Sequence, residues 1–230
     1  MTADVTEANI ARWDSLFASR SWGKYPPEEL VRFVARTYCD LAQRKSLRAL
    51  EVGCGPGANL WYLAREGFRV AGIDGSSHAI SAAMERLRTE GLLDLAQPTD
   101  LRVGNFATLP WEDNFFDMVI DIEAIYANTI IVIRSAIDEI HRVLKPGGYF
   151  FGKMFGPETT GITSGKMLDD STTENPDTGP LAGMGVVHAF TDEGIKHEFK
   201  AFSDLKLDWV HRSDRGGTYE IFEWLVQARK

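Results

Sequence analysis

The sequence predicts an α/β protein, a three-layer α/β/α sandwich built on a mostly parallel, seven-stranded sheet with one antiparallel strand. Three observations predict it. Short apolar runs alternate with helical patterns between residues 46 and 155, the signature of strand–helix–strand crossovers. Glycine or a polar residue closes each of the first four runs, which suits strands that all point the same way. Near the C-terminus, Leu205 to Val210 and Tyr219 to Ala228 flank Asp214-Arg215-Gly216-Gly217, a hairpin signal that turns the last strand antiparallel.

The elements follow in order. Residues 1–45 read as a helical cap. Ile10, Trp13, Leu16 and Phe17 fall at helical spacing. Leu30, Val31, Val34, Tyr38 and Leu41 do so again after Pro26-Pro27, a favourable helix start. Leu47 to Val52 is the first strand, Gly57 to Glu66 a helix and Phe68 to Ile73 the second strand. Ser76 or Ser77 caps a helix whose inner face is Ile80, Ala83, Met84 and Leu87. Leu101 to Val103 and Phe115 to Ile120 are the third and fourth strands. Ile130, Ile133, Ile137 and Ile140 line a helix that Lys145-Pro146-Gly147-Gly148 ends, and Tyr149 to Phe155 is the fifth strand. Residues 156–190, rich in Gly, Thr, Pro, Asp and Ser, read as a long functional loop or a small insertion with short strands, on the substrate side. Thr191 caps a last helix with Ile195 and Phe199. The whole chain, 1–230, reads as one domain.

Composition narrows the function. The chain has 230 residues, a net charge of −8, 44% hydrophobic and 25% charged residues. An anionic surface repels phosphate backbones, so no nucleic-acid partner is expected. Arg134, His141, Arg142 and Lys145 read as charges that complement a helix C-terminus. Cys39 and Cys54 lack metal or disulfide spacing, and Cys54 reads as a small packing residue. No metal site is expected; Asp169, Asp170, Glu174 and Asp177 read as solvated. No apolar run is long enough to span a bilayer, and no N-terminal stretch resembles a signal peptide. A cytoplasmic location without membrane contact is expected.

Ligands of open parallel sheets bind beyond the carboxyl ends of the strands. Gly53, Gly55 and Gly57 follow the first strand, Asp74 the second, Asn105 the third and Asp121 the fourth. Gly53 and Gly55 allow a ligand to approach the backbone, and Gly57 opens a helix whose free N–H groups attract a carboxylate. Asp74, with Gly75 and Ser76 beside it, is placed to accept two sugar hydroxyls. Asn105 and the N–H of Phe106 suit a base edge. Asp121 suits an ammonium, and Glu51 supports the turn. A glycine turn among carboxylates favours a nucleoside with few or no phosphates.

These residues lie in Leu50-Glu51-Val52-Gly53-Cys54-Gly55-Pro56-Gly57, Gly72-Ile73-Asp74-Gly75-Ser76, Gly104-Asn105-Phe106-Ala107-Thr108-Leu109-Pro110, Phe116-Asp117-Met118-Val119-Ile120-Asp121 and Arg142-Val143-Leu144-Lys145-Pro146-Gly147-Gly148. In that order and spacing the chain resembles the class I S-adenosylmethionine-dependent methyltransferases of small molecules. The resemblance covers roughly residues 47–155. It implies a Rossmann-like sheet of strand order 3-2-1-4-5-7-6, S-adenosylmethionine as methyl donor and S-adenosylhomocysteine as product. The family usually carries Asp where this chain has Asn105, which keeps an acceptor and loses a charge.

Methyl transfer to a small acceptor requires in-line positioning in a dry pocket, and a base only if the acceptor must lose a proton. Glu123, Tyr126 and His188 are the candidates for direct roles, each against an ordinary packing or solvated alternative. Trp22 and Tyr25 suit a lid over a cationic sulfur, or packing of the N-terminal helices. The acceptor is expected to meet residues 10–26, 123–128 and the insertion. Gly53, Gly55 and Ala58 with Asp74 also fit the dinucleotide fingerprint of NAD(P)-dependent oxidoreductases. Methylation of a protein or nucleic acid, and a non-catalytic S-adenosylmethionine-binding protein, are further alternatives.

Overall fold

Strands that are apolar on both sides must be covered on both faces, and the central strands here are. The structure, a computed structural model, describes residues 2–93 and 99–230. Three helices come first: α1 (Thr2–Ser19), α2 (Glu28–Thr37) and the short α3 (Leu41–Arg44). Then β1 (Arg48–Val52), α4 (Ala58–Arg65), β2 (Arg69–Asp74), α5 (Ser77–Thr89) and β3 (Asp100–Val103) alternate. They are followed by β4 (Phe116–Ile122), α6 (Ile130–Val143) and β5 (Leu144–Phe155). Three short strands, β6 (Lys166–Met167), β7 (Thr172–Glu174) and β8 (Val186–His188), precede α7 (Asp192–Glu198), β9 (Ser203–Asp214) and β10 (Tyr219–Arg229).

The main sheet has seven strands in the order β3-β2-β1-β4-β5-β10-β9. Its first five strands are parallel, and β10 is antiparallel to both β5 and β9. This is the expected order with its one antiparallel strand. Alternation along each strand divides the core between the two faces. Leu50, Val119 and Phe150 face α6 and α7, packing with Ile137, Ile140, Ile195 and Phe199. Ala49, Met118 and Phe151 face α2 and α4, with Phe33, Val34, Leu60 and Leu63.

Two expectations change. Lys145-Pro146-Gly147-Gly148 does not separate α6 from β5. It is a bulge inside β5, where the register with β4 jumps from Phe116↔Leu144 to Met118↔Tyr149. Lys145 Nζ there meets both carboxylate oxygens of Asp117, at 2.7 and 2.8 Å. Arg134 lies mid-helix and is committed to Glu198, whereas His141 and Arg142 do stand in the last turn of α6, Arg142 also pairing with Glu139 and Asp113. Residues 156–190 form the insertion with short strands, a sheet of order β6-β7-β8, and Ile162, Leu181 and Val187 anchor it in the main core.

Phe150 is fully buried and packs against Phe199 and Phe202 with ring centroids 5.1 and 6.0 Å away. Phe150→Ala should lower unfolding free energy by about 3–5 kcal/mol, read as a shifted urea midpoint.

Candidate functional site

Three left-handed glycines shape the turn after β1. Gly53, Gly55 and Gly57 have φ of +63°, +49° and +80°, a region that L side chains avoid. A Cβ on Gly53 would stand 2.2 Å from the Ala124 Cβ, and one on Gly57 would stand 2.8 Å from the Ala83 Cβ. Gly57 therefore lets α4 approach α5; it caps α4 with its own backbone, and its N–H donates to the Cys54 carbonyl at 3.0 Å.

Asp74 ends β2 in a buried position. One carboxylate oxygen accepts from the Gly55 N–H at 2.9 Å and the other from the Ser76 N–H at 2.8 Å. Burial raises its pKa, and these two N–H donors oppose the rise. Ser76 Oγ accepts from the Ala79 N–H at 3.0 Å, capping α5, and donates to Asp14 of α1. Asp14 also accepts from the His78 N–H and meets His78 Nδ1 at 2.9 Å. Donors from Ser76 and His78 hold its pKa down at about 2. Glu51 Oε1 accepts from Asn59 Nδ2 at 2.6 Å, and burial pushes the carboxyl well above its ordinary pKa. The Asn105 Oδ1 accepts from the Ala107 N–H at 2.9 Å, turning the chain after β3. Cys54 is buried in the turn, and burial holds its thiol protonated.

These groups wall a cavity of about 510 Å³ at the carboxyl edge of the sheet. Glu51, Gly53, Gly55, Asp74, Gly75, Ser76, Asn105 and Phe106 line one part of it. Tyr126, Phe155, Leu181, Met184, Ile221 and Arg212 line another. α1 roofs it with Ile10, Trp13 and Phe17, and Trp22 and Tyr25 sit at its rim. Trp22 packs edge-on against Trp13 and Phe17, with centroids 5.9 and 5.1 Å away, while Tyr25 is edge-on to Trp61. Both aromatics thus border the cavity and brace the cap.

Two candidates from the sequence lie elsewhere, as Gly57 does. Asp121 is fully buried behind the cavity wall. Its Oδ1 accepts from the N–H groups of Ala124 and Ile125, at 3.1 and 3.0 Å, so it caps the turn after β4. Val52 pairs with Asp121 across the sheet, and this register turns the carboxylate into the wall. His188 stands on the far side of that wall in a separate groove with Asp169 and Glu198. Its Nδ1 is 2.8 Å from Thr172 Oγ1, and its backbone N–H donates to the Tyr126 carbonyl. It buttresses Tyr126 rather than reaching the cavity.

Glu123 and Tyr126 do line the cavity. Glu123 has φ +57°, strained for a residue with a side chain. Its Oε1 meets Lys153 Nζ at 3.1 Å, and the same Nζ meets Glu223 Oε2 at 3.0 Å. Lys153 and Glu223 do not line the cavity themselves; they stand behind Glu123, and a buried Lys and Glu are themselves a sign of pairing. Asn9 Nδ2 donates to the Ala127 carbonyl, and Arg12 Nε donates to the Gly183 carbonyl at 2.8 Å. α1 thereby ties the β4 turn to the insertion, contacts of such sequence separation that no local pattern announces them.

The arrangement fits a nucleoside carrying an amino-acid tail. Asn9 Oδ1, Trp13 Nε1, Glu51 Oε2 and Asn59 Oδ1 are buried polar atoms of wall residues without a hydrogen-bond partner among the described residues, and buried polar atoms ordinarily have one. The turn presents bare backbone beside them. Residues 50–152 match the family model described as a methyltransferase domain. This stretch is a methyltransferase domain of the class I fold. The methyltransferase domain has relatives of known name. A fatty-acid O-methyltransferase from Mycolicibacterium smegmatis is 32% identical over 153 residues, 60% of this chain and 52% of that protein. Sterol 24-C-methyltransferase ERG6A from Gibberella zeae is 35% identical over 189 residues, 79% of this chain and 44% of that protein. The chain thus spans about half the length of these curated relatives. The crystal structure of a SAM-dependent methyltransferase from Methanosarcina mazei superposes with a TM-score of 0.66 at 24% identity, covering 80% of this chain and 92% of the other.

Asp121 gives the methyltransferase domain a pH signature. Burial lifts its pKa to about 7, against about 3.9 in an unfolded chain. The folded state keeps a proton that the unfolded state releases, so the stability it contributes is complete below about pH 4 and is lost as pH rises through about 7. Asp121→Asn keeps an acceptor for the Ala124 and Ile125 N–H groups. It should flatten the decline of unfolding free energy between pH 4 and 8, measured by urea titration; an unchanged slope would contradict the assignment.

Proposed function

We propose that the chain is an S-adenosylmethionine-dependent methyltransferase that methylates a small, largely apolar acceptor and releases S-adenosylhomocysteine. The observation that carries this reading is the cavity bounded by the Gly53–Gly55 turn, Glu51 and Asp74, at the carboxyl edge of a sheet whose strand order matches the methyltransferase fold. The carboxylates weigh against the dinucleotide alternative. Asp74 and Glu123 line the cavity beside the glycine turn that a pyrophosphate would have to meet, and like charges repel across a low-dielectric gap.

Asp74 would accept the ribose hydroxyls, and Asn105 and the Phe106 N–H would read the adenine. Glu51 and the backbone of Gly53 and Gly55 would hold the amino-acid tail. When bound, the cofactor supplies a methyl group activated by a positive sulfur. The rest of the chemistry is exclusion of water and alignment, which oriented binding can supply. α1, Trp13, Tyr126, Phe155 and the insertion residues Leu181 and Met184 provide the apolar enclosure. Trp22 and Tyr25 would favour positive charge through their ring faces. Glu123 lines the cavity just after β4 and Lys153 orients it; it would take the proton from an acceptor that must lose one.

A small acceptor accords with the fatty-acid and sterol methyltransferases among the relatives. Among the described residues no helix is long and apolar enough to cross a membrane. The unpaired Cys39 and Cys54 fit a reducing compartment such as the cytoplasm.

Calorimetric titration tests the reading. S-adenosylhomocysteine should bind and NADH should not. Asp74→Ala should weaken S-adenosylhomocysteine by about 2–4 kcal/mol through loss of charge-assisted hydrogen bonds. Binding of NADH alone, or an unchanged dissociation constant in Asp74→Ala, would contradict it.

A further inference from the structure

The cavity holds one cation that no hydrogen bond engages among the described residues. Among the described residues that line it, Arg212 is the sole Lys or Arg. It lies on β9 opposite Ile221 of β10, with Glu223 one diagonal step away. Its side chain is 49% exposed, and its nearest carboxylate oxygen, on Glu223, is 3.8 Å from Nε, beyond hydrogen-bond range. Glu223 is already engaged by Lys153, at 3.0 Å, and Lys153 also holds Glu123. Lys153 thus makes the close contacts to both carboxylates, Arg212 adds the second positive charge from 3.8 Å, and its N–H donors make no hydrogen bond among the described residues.

We propose that Arg212 binds a carboxylate of the acceptor, at the end of the molecule remote from the atom that receives the methyl group. This rests on the methyltransferase reading for the position of the transfer site beside the β1 and β4 turns. Two observations define the acceptor further. The guanidinium reaches Glu123 only through Glu223 and Lys153, in steps of 3.8, 3.0 and 3.1 Å, so the anionic end and the methylated end are several bonds apart. The wall between them is apolar, formed by Tyr126, Phe155, Leu181, Met184 and Ile221. The acceptor is therefore an amphiphile with an apolar body. A planar guanidinium fork matches a carboxylate. With Glu123 lining the cavity and Glu223 buried 3.8 Å from the guanidinium, a singly charged group suits the site better than a doubly charged phosphate.

The test uses dodecanoate and 1-dodecanol, below their aggregation limits, titrated into the full chain saturated with S-adenosylhomocysteine. Dodecanoate should bind roughly tenfold or more tightly than dodecanol, the size of a charge-assisted pair. Arg212→Gln should remove that difference without altering S-adenosylhomocysteine affinity, and Arg212→Lys should restore part of it. Equal binding of the two probes to the native protein, or undiminished dodecanoate binding by Arg212→Gln, overturns the proposal. Arg212-dependent dodecanoate binding in a protein that does not bind S-adenosylhomocysteine would leave the anion site standing and remove the methyltransferase reading instead.

Discussion

Asp74 accepts the Gly55 N–H with one carboxylate oxygen and the Ser76 N–H with the other, so one buried carboxylate ties the turn after β1 to the turn after β2. The left-handed glycines make the first turn possible, and the Ser76 cap fixes the start of α5 beside the second. An acceptor with two oxygens and four lone-pair directions can hold both turns and still face the cavity. Replacing it by a neutral or shorter side chain would release the two backbone donors and the ligand-facing surface together.

The roof depends on polar contacts of another kind. α1 reaches the carbonyls of Ala127 and Gly183 through Asn9 and Arg12 and the α5 cap through Asp14. Each contact is a side chain bonded to backbone or to a capping residue, so the helix is held by its polar side as well as by Ile10, Trp13 and Phe17. Below it, Lys153 pairs with Glu123 in the wall and with Glu223 behind it, and Arg212 supplies the second positive charge, 3.8 Å from Glu223. Burying charge is costly unless it is paired, and here two cations face two carboxylates. The acceptor region is in this sense an apolar channel with a charged floor.

Much of this was legible in the chain itself. Glycine at φ-positive positions and an acid at the next strand end are local features, so Gly53, Gly55 and Asp74 could be placed from order and spacing alone. Alternation and the Asp214–Gly217 hairpin marked a parallel sheet with one antiparallel strand, and the strand order came with the family resemblance. What local pattern could not supply was which way a strand-end side chain points. Asp121 has the right sequence position, but the turn after β4 needs its carboxylate for the Ala124 and Ile125 N–H groups, and it faces inward. His188 is near the cavity in sequence terms and on the wrong side of β8 in space. Asp14, Asn9, Arg12 and Arg212 have partners or cavity positions created only when distant segments meet, and nothing near them in the sequence marks them out. Lys145-Pro146-Gly147-Gly148 showed the converse error: a pattern read as a helix stop is absorbed as a bulge because Lys145 has Asp117 to bind.

A crystal structure of the chain with S-adenosylhomocysteine tests the central claim most directly. The account predicts a nucleoside thioether lying against the Gly53–Gly55 backbone with its ribose hydroxyls on Asp74 and its sulfur facing the channel lined by Tyr126, Leu181 and Met184. The same soak showing that compound bound outside this cavity, or bound with Asp74 still holding only the Gly55 and Ser76 N–H groups and no ribose contact, would contradict it.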